Sequence, residues 1–208
     1  MKLWLFDILA CPIDKNYPLK LYIFSYETPN EIIDMILEIS KDRDIDKIKS
    51  ENLVKISEEN GIITVQDELV LEKTPFLIYL KLIEQSIDEL QNIYDLSRKE
   101  NSNELLNHIR TKIYTKIKNY VKILPEDDDL SEILPELVTI NKFKFEIEIE
   151  TGIIFCPKCK RWFPIIDTIP QMLPDEYRDE KVELEFLKTN KNLLYEEFFQ
   201  QDLKPFKP

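Results

Sequence analysis

The sequence predicts an α+β protein: a small antiparallel β domain built from both chain ends, with an α-helical domain inserted between them. Three observations predict it. LKLYIF (19–24) and FKFEIEIE (143–150) are rich in β-formers and alternate with a period of two, as half-buried strands do. Residues 75–124 instead repeat apolar side chains every three or four positions, the period of helices that bury one face. Related turn motifs, CPID (11–14) and CPKC (156–159), stand at the two ends; if they meet, one domain is closed from both ends.

The elements follow in order. After the strand at 19–24, TPNEIIDMILEIS (28–40) switches to helical spacing, with Asn30 suited to cap and Ile32, Ile33, Ile36 and Ile39 on one face. KDRDIDKIKSEN (41–52) reads as a solvated charged stretch, and GIITV (61–65) as a short strand. Pro75 stands at a helix-entry position and opens a helix over 75–99 that carries Phe76, Leu80, Ile83, Ile87, Leu90 and Tyr94. A second helix over 101–124 carries Leu106, Ile109, Ile113, Ile117, Tyr120 and Leu124. The break at Asn101–Asn103 predicts an antiparallel helical hairpin. PEDDDLSEILPEL (125–137) reads as an acidic connection holding a helical turn. From 143 the pattern is β again, with Thr151-Gly152 as a tight turn and 153–155 as the return strand. Residues 161–176 are extended and interrupted by proline, and 181–199 form a helix. The expected domains are 1–27 with 143–176 (discontinuous β domain), 28–142 (helical insertion) and 177–208 (C-terminal helical extension).

Composition excludes several functions. Hydrophobic residues make up 43% and charged residues 33% of the 208, with a formal net charge of −12. A chain this acidic is a poor ligand for nucleic acid by itself, because phosphate binding depends on lysine and arginine displacing counterions. The three cysteines are an odd number, which argues against a secreted disulfide framework and for the reducing cytoplasm. The start, MKLWLFDILAC, superficially resembles a lipoprotein signal, but its apolar run is short and broken by Asp7. No stretch approaches the ~20 apolar residues of a membrane span. The two glycines, Gly61 and Gly152, lie far apart, so the chain has no glycine-rich loop to cradle a phosphate or dinucleotide. No S-adenosylmethionine site is expected on it either. His108, between Glu104 and Lys112 on a helix, is expected on a solvated face; no nucleophile–histidine pair stands out, so no enzyme is expected.

Cys156 and Cys159 have knuckle spacing: two thiolates from one tight turn supply two ligands to a tetrahedral ion. Cys11 and Asp14 can complete a Cys3Asp set, the aspartate oxygen being an allowed but harder ligand. With zinc, the β domain is zinc-ribbon-like. Without metal, the three thiols pack as small apolar groups and Asp14 caps local N–H groups. A thiol-redox pair fits less well, because KRWFPII after Cys159 continues as strand, whereas such pairs open helices. PIIDTIPQML (164–173) is apolar and proline-flanked, which assigns it to a sheet edge that core residues or a partner must cover.

LFDILACPIDKNYPLKL (5–21) and TGIIFCPKCKRWFPIIDTIPQMLPDE (151–176) together resemble the methyltransferase-activator family, the small zinc-ribbon-like proteins called multifunctional methyltransferase subunit or tRNA methyltransferase activator. Order and spacing agree in both segments: a first knuckle after Met-Lys-Leu, then Phe163-Pro164-Ile165 and Ile169-Pro170-Gln171-Met172-Leu173 after the second. The CPIDK form points to an archaeal source. The resemblance implies a non-catalytic partner of class I S-adenosylmethionine-dependent methyltransferases, whose substrates include tRNA, ribosomal RNA and a release factor. It implies a heterodimer in which RNA is met only through the enzyme, and no membrane association. Docking by strand addition would use Phe163, Ile165, Ile166, Ile169, Pro170, Met172 and Leu173, with Trp4 and Phe6 as neighbours. Asp14 departs from the four-cysteine members, and others lack the cysteines. The insertion is longer than the family implies, and the tail after 176 is an extension. The alternative is a zinc-ribbon RNA-binding module using Lys158, Lys160, Arg161 and Trp162.

Overall fold

The computed structural model describes residues 1–59, 61–123 and 130–207. In chain order the elements are α1 (Leu3–Phe6), β1 (Lys20–Tyr26), α2 (Asn30–Asp42), α3 (Ile45–Glu51), β2 (Lys55–Glu59), β3 (Ile62–Gln66), β4 (Thr74–Pro75) and α4 (Phe76–Glu89). Then follow β5 (Ile93–Asp95), α5 (Glu100–His108), α6 (Tyr114–Ile123), α7 (Leu134–Glu146), β6 (Ile149–Phe155), β7 (Trp162–Ile166), β8 (Ile169–Pro170), α8 (Glu180–Thr189) and α9 (Glu196–Phe199). The chain divides into two compact units. The first comprises Met1–Thr28, Asn92–Lys99 and Glu148–Pro208; the second comprises Pro29–Gln91 and Glu100–Ile147.

The first unit is built on a five-stranded sheet of order β5-β1-β6-β7-β8. β1, β6, β7 and β8 pair antiparallel in succession, and β5 joins the far edge parallel to β1. Tyr22, Phe24, Ile153, Phe155 and Trp162 form a core with Leu187, Leu194, Phe198 and Leu203, so the C-terminal helices and tail bury aromatic side chains of the sheet. The N-terminus is tied to the start of β6: the Met1 ammonium donates to the Ile149 carbonyl and the Ile149 amide returns a bond of 2.8 Å to Met1.

Three expectations change here. Thr151 and Gly152 do not turn the chain; both lie inside β6, which runs straight through to Phe155. Gly152 is needed for close approach instead, since a Cβ there would stand 2.5 Å from the Tyr22 carbonyl oxygen of β1. Residues 143–146 are the last turn of α7, not a strand. α7 is buried on nearly every side, Asn141 and Lys144 included, so it lacks the amphipathic stripe that marks a surface helix. Ile93–Asp95, expected in a helix, is β5; the preceding helix ends at Glu89, followed by a 3-10 turn over Leu90–Asn92. Parallel pairing with a strand some seventy residues earlier leaves no local periodic signal.

The second unit is mainly helical but carries its own antiparallel sheet, β2-β3-β4. β2 was not expected, and β3 pairs with it along its whole length. α2 forms as its spacing predicts, burying Ile33, Ile36 and Leu37, although Pro29 rather than Asn30 holds the cap position. The solvated stretch at 41–52 contains α3, capped by the Asp44 carboxylate on the Lys47 amide at 3.1 Å, with Ile48 buried. α5 and α6 run on through a π-helical segment, Ile109–Ile113. Phe76 at the start of α4 meets Tyr120 near the end of α6 edge-on at 6.0 Å, as an antiparallel hairpin requires. His108 is half-buried and 2.7 Å from the Ser40 hydroxyl, and desolvation holds its pKa below the ordinary histidine value. The expected acidic connection lies outside the described residues over 124–129; the remainder forms a 3-10 turn and the start of α7. The tail helix expected over 181–199 is split by Asn190 and a 3-10 turn into α8 and α9.

Candidate metal centre and sheet edge

The two knuckles are copies of one turn. In the first, the Cys11 amide donates to the Asn16 carbonyl (3.0 Å) and the Lys15 amide to the Cys11 carbonyl (2.9 Å). In the second, the Cys156 amide donates to the Arg161 carbonyl (2.8 Å) and the Lys160 amide to the Cys156 carbonyl (3.0 Å). Lys15 and Lys160 occupy the equivalent position in the left-handed region, at φ 58° and 62°. Each turn therefore aims its first and fourth side chains, Cys11 with Asp14 and Cys156 with Cys159, at one point.

The four ligand atoms lie within 4.8 Å of one another. Cys11 Sγ is 3.6 Å from Cys159 Sγ, and Cys156 Sγ is 3.6 and 3.7 Å from the two Asp14 carboxylate oxygens. A tetrahedral ion with metal–sulfur bonds of about 2.3 Å has ligand–ligand edges of about 3.8 Å, so these edges fit a four-coordinate, thiolate-rich site. The cysteines are free, and Cys11 and Cys156 are buried. Desolvation pushes the Cys11 thiol up to about 12 and raises Cys156. For Cys159, desolvation is outweighed by hydrogen bonds from Arg161, which hold its thiol below the ordinary value. Asp14 also accepts the Asn16 amide at 3.1 Å, so it caps its own turn while facing the cysteines. Bonds from Cys11 and Asn16 outweigh its desolvation and keep its pKa low. The set can hold a metal ion. With four protein ligands such an ion is closed and structural, holding the chain ends together rather than offering an open position for chemistry.

The second knuckle leads into β7, and β8 folds back to form the sheet's outer edge through Asp167 and Thr168, both at positive φ. Phe6, Phe163 and Ile165, expected to face a partner, are buried in the core of this fold. Ile169 (58%), Leu173 (42%) and Trp4 (38%) are exposed, and Ile166, Pro170 and Met172 are half-buried. Two residues of the alternative RNA-binding reading are engaged within the fold. Trp162 is fully buried, its indole N–H donating to Phe206, and Arg161 forks onto Asp175 at 2.8–3.1 Å. Sequence reasoning missed Arg178, whose guanidinium is buried against Trp162 and Phe163; only its position a few residues before Glu183 hinted at a pair.

Two matched knuckles closing one site beside an antiparallel sheet define a zinc-ribbon-like domain assembled from both chain ends. The family profile described as Trm112p-like protein matches residues 2–167, and the chain belongs to this family of methyltransferase activators, which are regulatory subunits. The matched span ends just before β8. No curated protein and no solved structure matches the chain. Among the described residues, no helix is long and apolar enough to cross a membrane.

Proposed function

We propose that this protein is a non-catalytic, activating and stabilising subunit of class I S-adenosylmethionine-dependent methyltransferases that act on tRNA, ribosomal RNA or translation factors. It forms a heterodimer with the enzyme in the cytoplasm and meets RNA only through it. The carrying observation is the outer edge of the first unit's sheet: a two-residue strand with Ile169 exposed, followed by irregular chain in which Leu173 is exposed. An uncovered apolar edge is a liability in a protein that works alone and a docking surface in a subunit, where a partner strand pairs with it and buries those side chains. Ile166, Pro170 and Met172, on or beside β8, and the exposed Trp4 are assigned to the same docking surface in this reading.

Co-purification from the source organism tests this reading. A methyltransferase should accompany the wild-type chain, and Ile169→Glu with Leu173→Glu should cut its recovery about tenfold, the loss of roughly 1.4 kcal/mol or more of binding. The thermal midpoint of the free chain should stay the same, because both side chains face solvent. A chain that carries no methyltransferase, and leaves the activity and solubility of candidate enzymes unchanged, overturns the proposal.

The metal in the knuckle site is zinc in this reading, as three thiolates and one carboxylate favour a borderline-soft ion. Elemental analysis should find about one zinc per chain. Cys156→Ala should abolish retention, and Asp14→Cys should slow zinc loss to a chelator. A ratio near zero for the wild type sinks this assignment without touching the docking surface.

A further inference from the structure

On the second unit, α2, α3 and the end of α7 enclose a groove of about 450 Å3. Its floor is apolar, with Ile36 and Ile48 buried and Ile32 and Ile39 half-buried. Met35 stands at the lip, 58% exposed, on the same strip of α2 as Ile39. An exposed methionine over an apolar floor is an adaptable contact, since its unbranched side chain repacks around different shapes.

The rim is acidic. Glu38, Asp42, Asp44, Glu51 and Glu146 line it against only two lysines. One of these, Lys142, is held at 3.0 Å by both Glu51 and Glu146. Asp44 caps α3. Glu38 and Asp42, one turn apart on α2 beside Met35 and Ile39, have no ion-pair partner among the described residues. An apolar strip and a negative strip therefore run side by side.

We propose that this groove docks a basic amphipathic helix of a protein partner. From Ile32 to Asp42 the α2 wall rises about 15 Å, which matches a guest helix of about three turns. Apolar side chains of the guest at i, i+3 or i+4, and i+7 enter over Met35 and Ile39, and lysine or arginine on its flank meets Glu38 and Asp42. Charge selects this occupant. A second copy of this chain, at net −12, brings predominantly like charge, and an acidic helix meets repulsion along the rim. The surface lies wholly on the inserted unit and is independent of docking at β8.

Fluorescence anisotropy of the full chain with labelled helical peptides of about three turns tests it. The probes are a leucine-faced peptide with a lysine/arginine flank, its glutamate-flanked counterpart, and a scrambled peptide of the same basic composition. The basic amphipathic peptide should bind saturably and weaken with salt. Met35→Lys, or Glu38→Lys with Asp42→Lys, should weaken binding at least tenfold while circular dichroism stays unchanged, because all three side chains are exposed. Equal binding of the scrambled peptide, indifference to these substitutions, or no binding by any probe overturns the proposal. So does concentration-dependent dimerisation that the same substitutions abolish, which would assign the groove to a second copy.

Discussion

Arg178→Met is expected to destabilise the first unit by about 3–5 kcal/mol, because it strands a buried carboxylate. The Arg178 guanidinium is fully buried. Its Nε donates to Glu183 at 2.9 Å, an Nη pairs with the same carboxylate, and the Trp162 carbonyl accepts a bond of 2.7 Å. The rings of Phe163, Trp162 and Phe206 stand 5.0–5.6 Å from it. Methionine keeps much of the packing, so the loss isolates the charge. The double variant Arg178→Met/Glu183→Leu should recover most of it, since apolar residues often replace a buried ion pair at little cost. Urea unfolding of the three proteins checks both statements. A single-variant loss under about 1 kcal/mol, the level of an exposed pair, contradicts them.

Asp67→Ala should cost the second unit about 3 kcal/mol or more. Asp67 is buried and accepts four bonds: the Leu69 and Val70 amides at 2.8 and 2.7 Å, the Tyr79 hydroxyl at 2.5 Å and the Asn141 side-chain amide at 2.8 Å. Alanine leaves all four donors facing a space without acceptors, and each buried unsatisfied donor costs about 1–3 kcal/mol. Tyr79 adds a pH signature. Desolvation, with the Asp67 charge, raises its pKa well above the ordinary tyrosine value. The folded state thus holds the phenolic proton where the unfolded chain releases it, so stability present below about pH 10 is lost as pH rises beyond it. Tyr79→Phe should lose one hydrogen bond at neutral pH and be free of that alkaline fall. Urea midpoints at pH 8 and pH 11 separate the two effects, and parallel losses in both proteins would refute the assignment.

Much of the site was legible because its signals are local. The spacing of Cys156 and Cys159 and the partial repeat of it in Cys11 and Asp14 are properties of a single turn, and the structure brings all four together. The prolines of residues 163–173 marked an edge because proline cannot donate to a ladder; this holds for Pro170 in the outer β8, whereas Pro164 lies in β7, which pairs with β6 and is covered by β8. What could not be read was which apolar side chain of that stretch faces inward. Phe163 and Ile165 belong to the core and Ile169 to the surface, and hydrophobicity alone does not distinguish them.

By itself the sequence determined the helical periods of α2, α4, α5 and α6, the strand at β1, the paired knuckles, and the lack of any glycine-rich cofactor loop. Each is written in residue type and short spacing, which the backbone obeys wherever the segment lies. Only the tertiary structure decided the rest. Ile93–Asp95 became a strand because β1 offered it a free edge. Thr151-Gly152 passed straight through a sheet because a neighbouring carbonyl needed the missing Cβ. FKFE joined a helix because α7 is enclosed on nearly all sides, which erases the polar face that separates the two periods. Long-range pairing and burial set these outcomes, and neither leaves a mark within a window of ten residues.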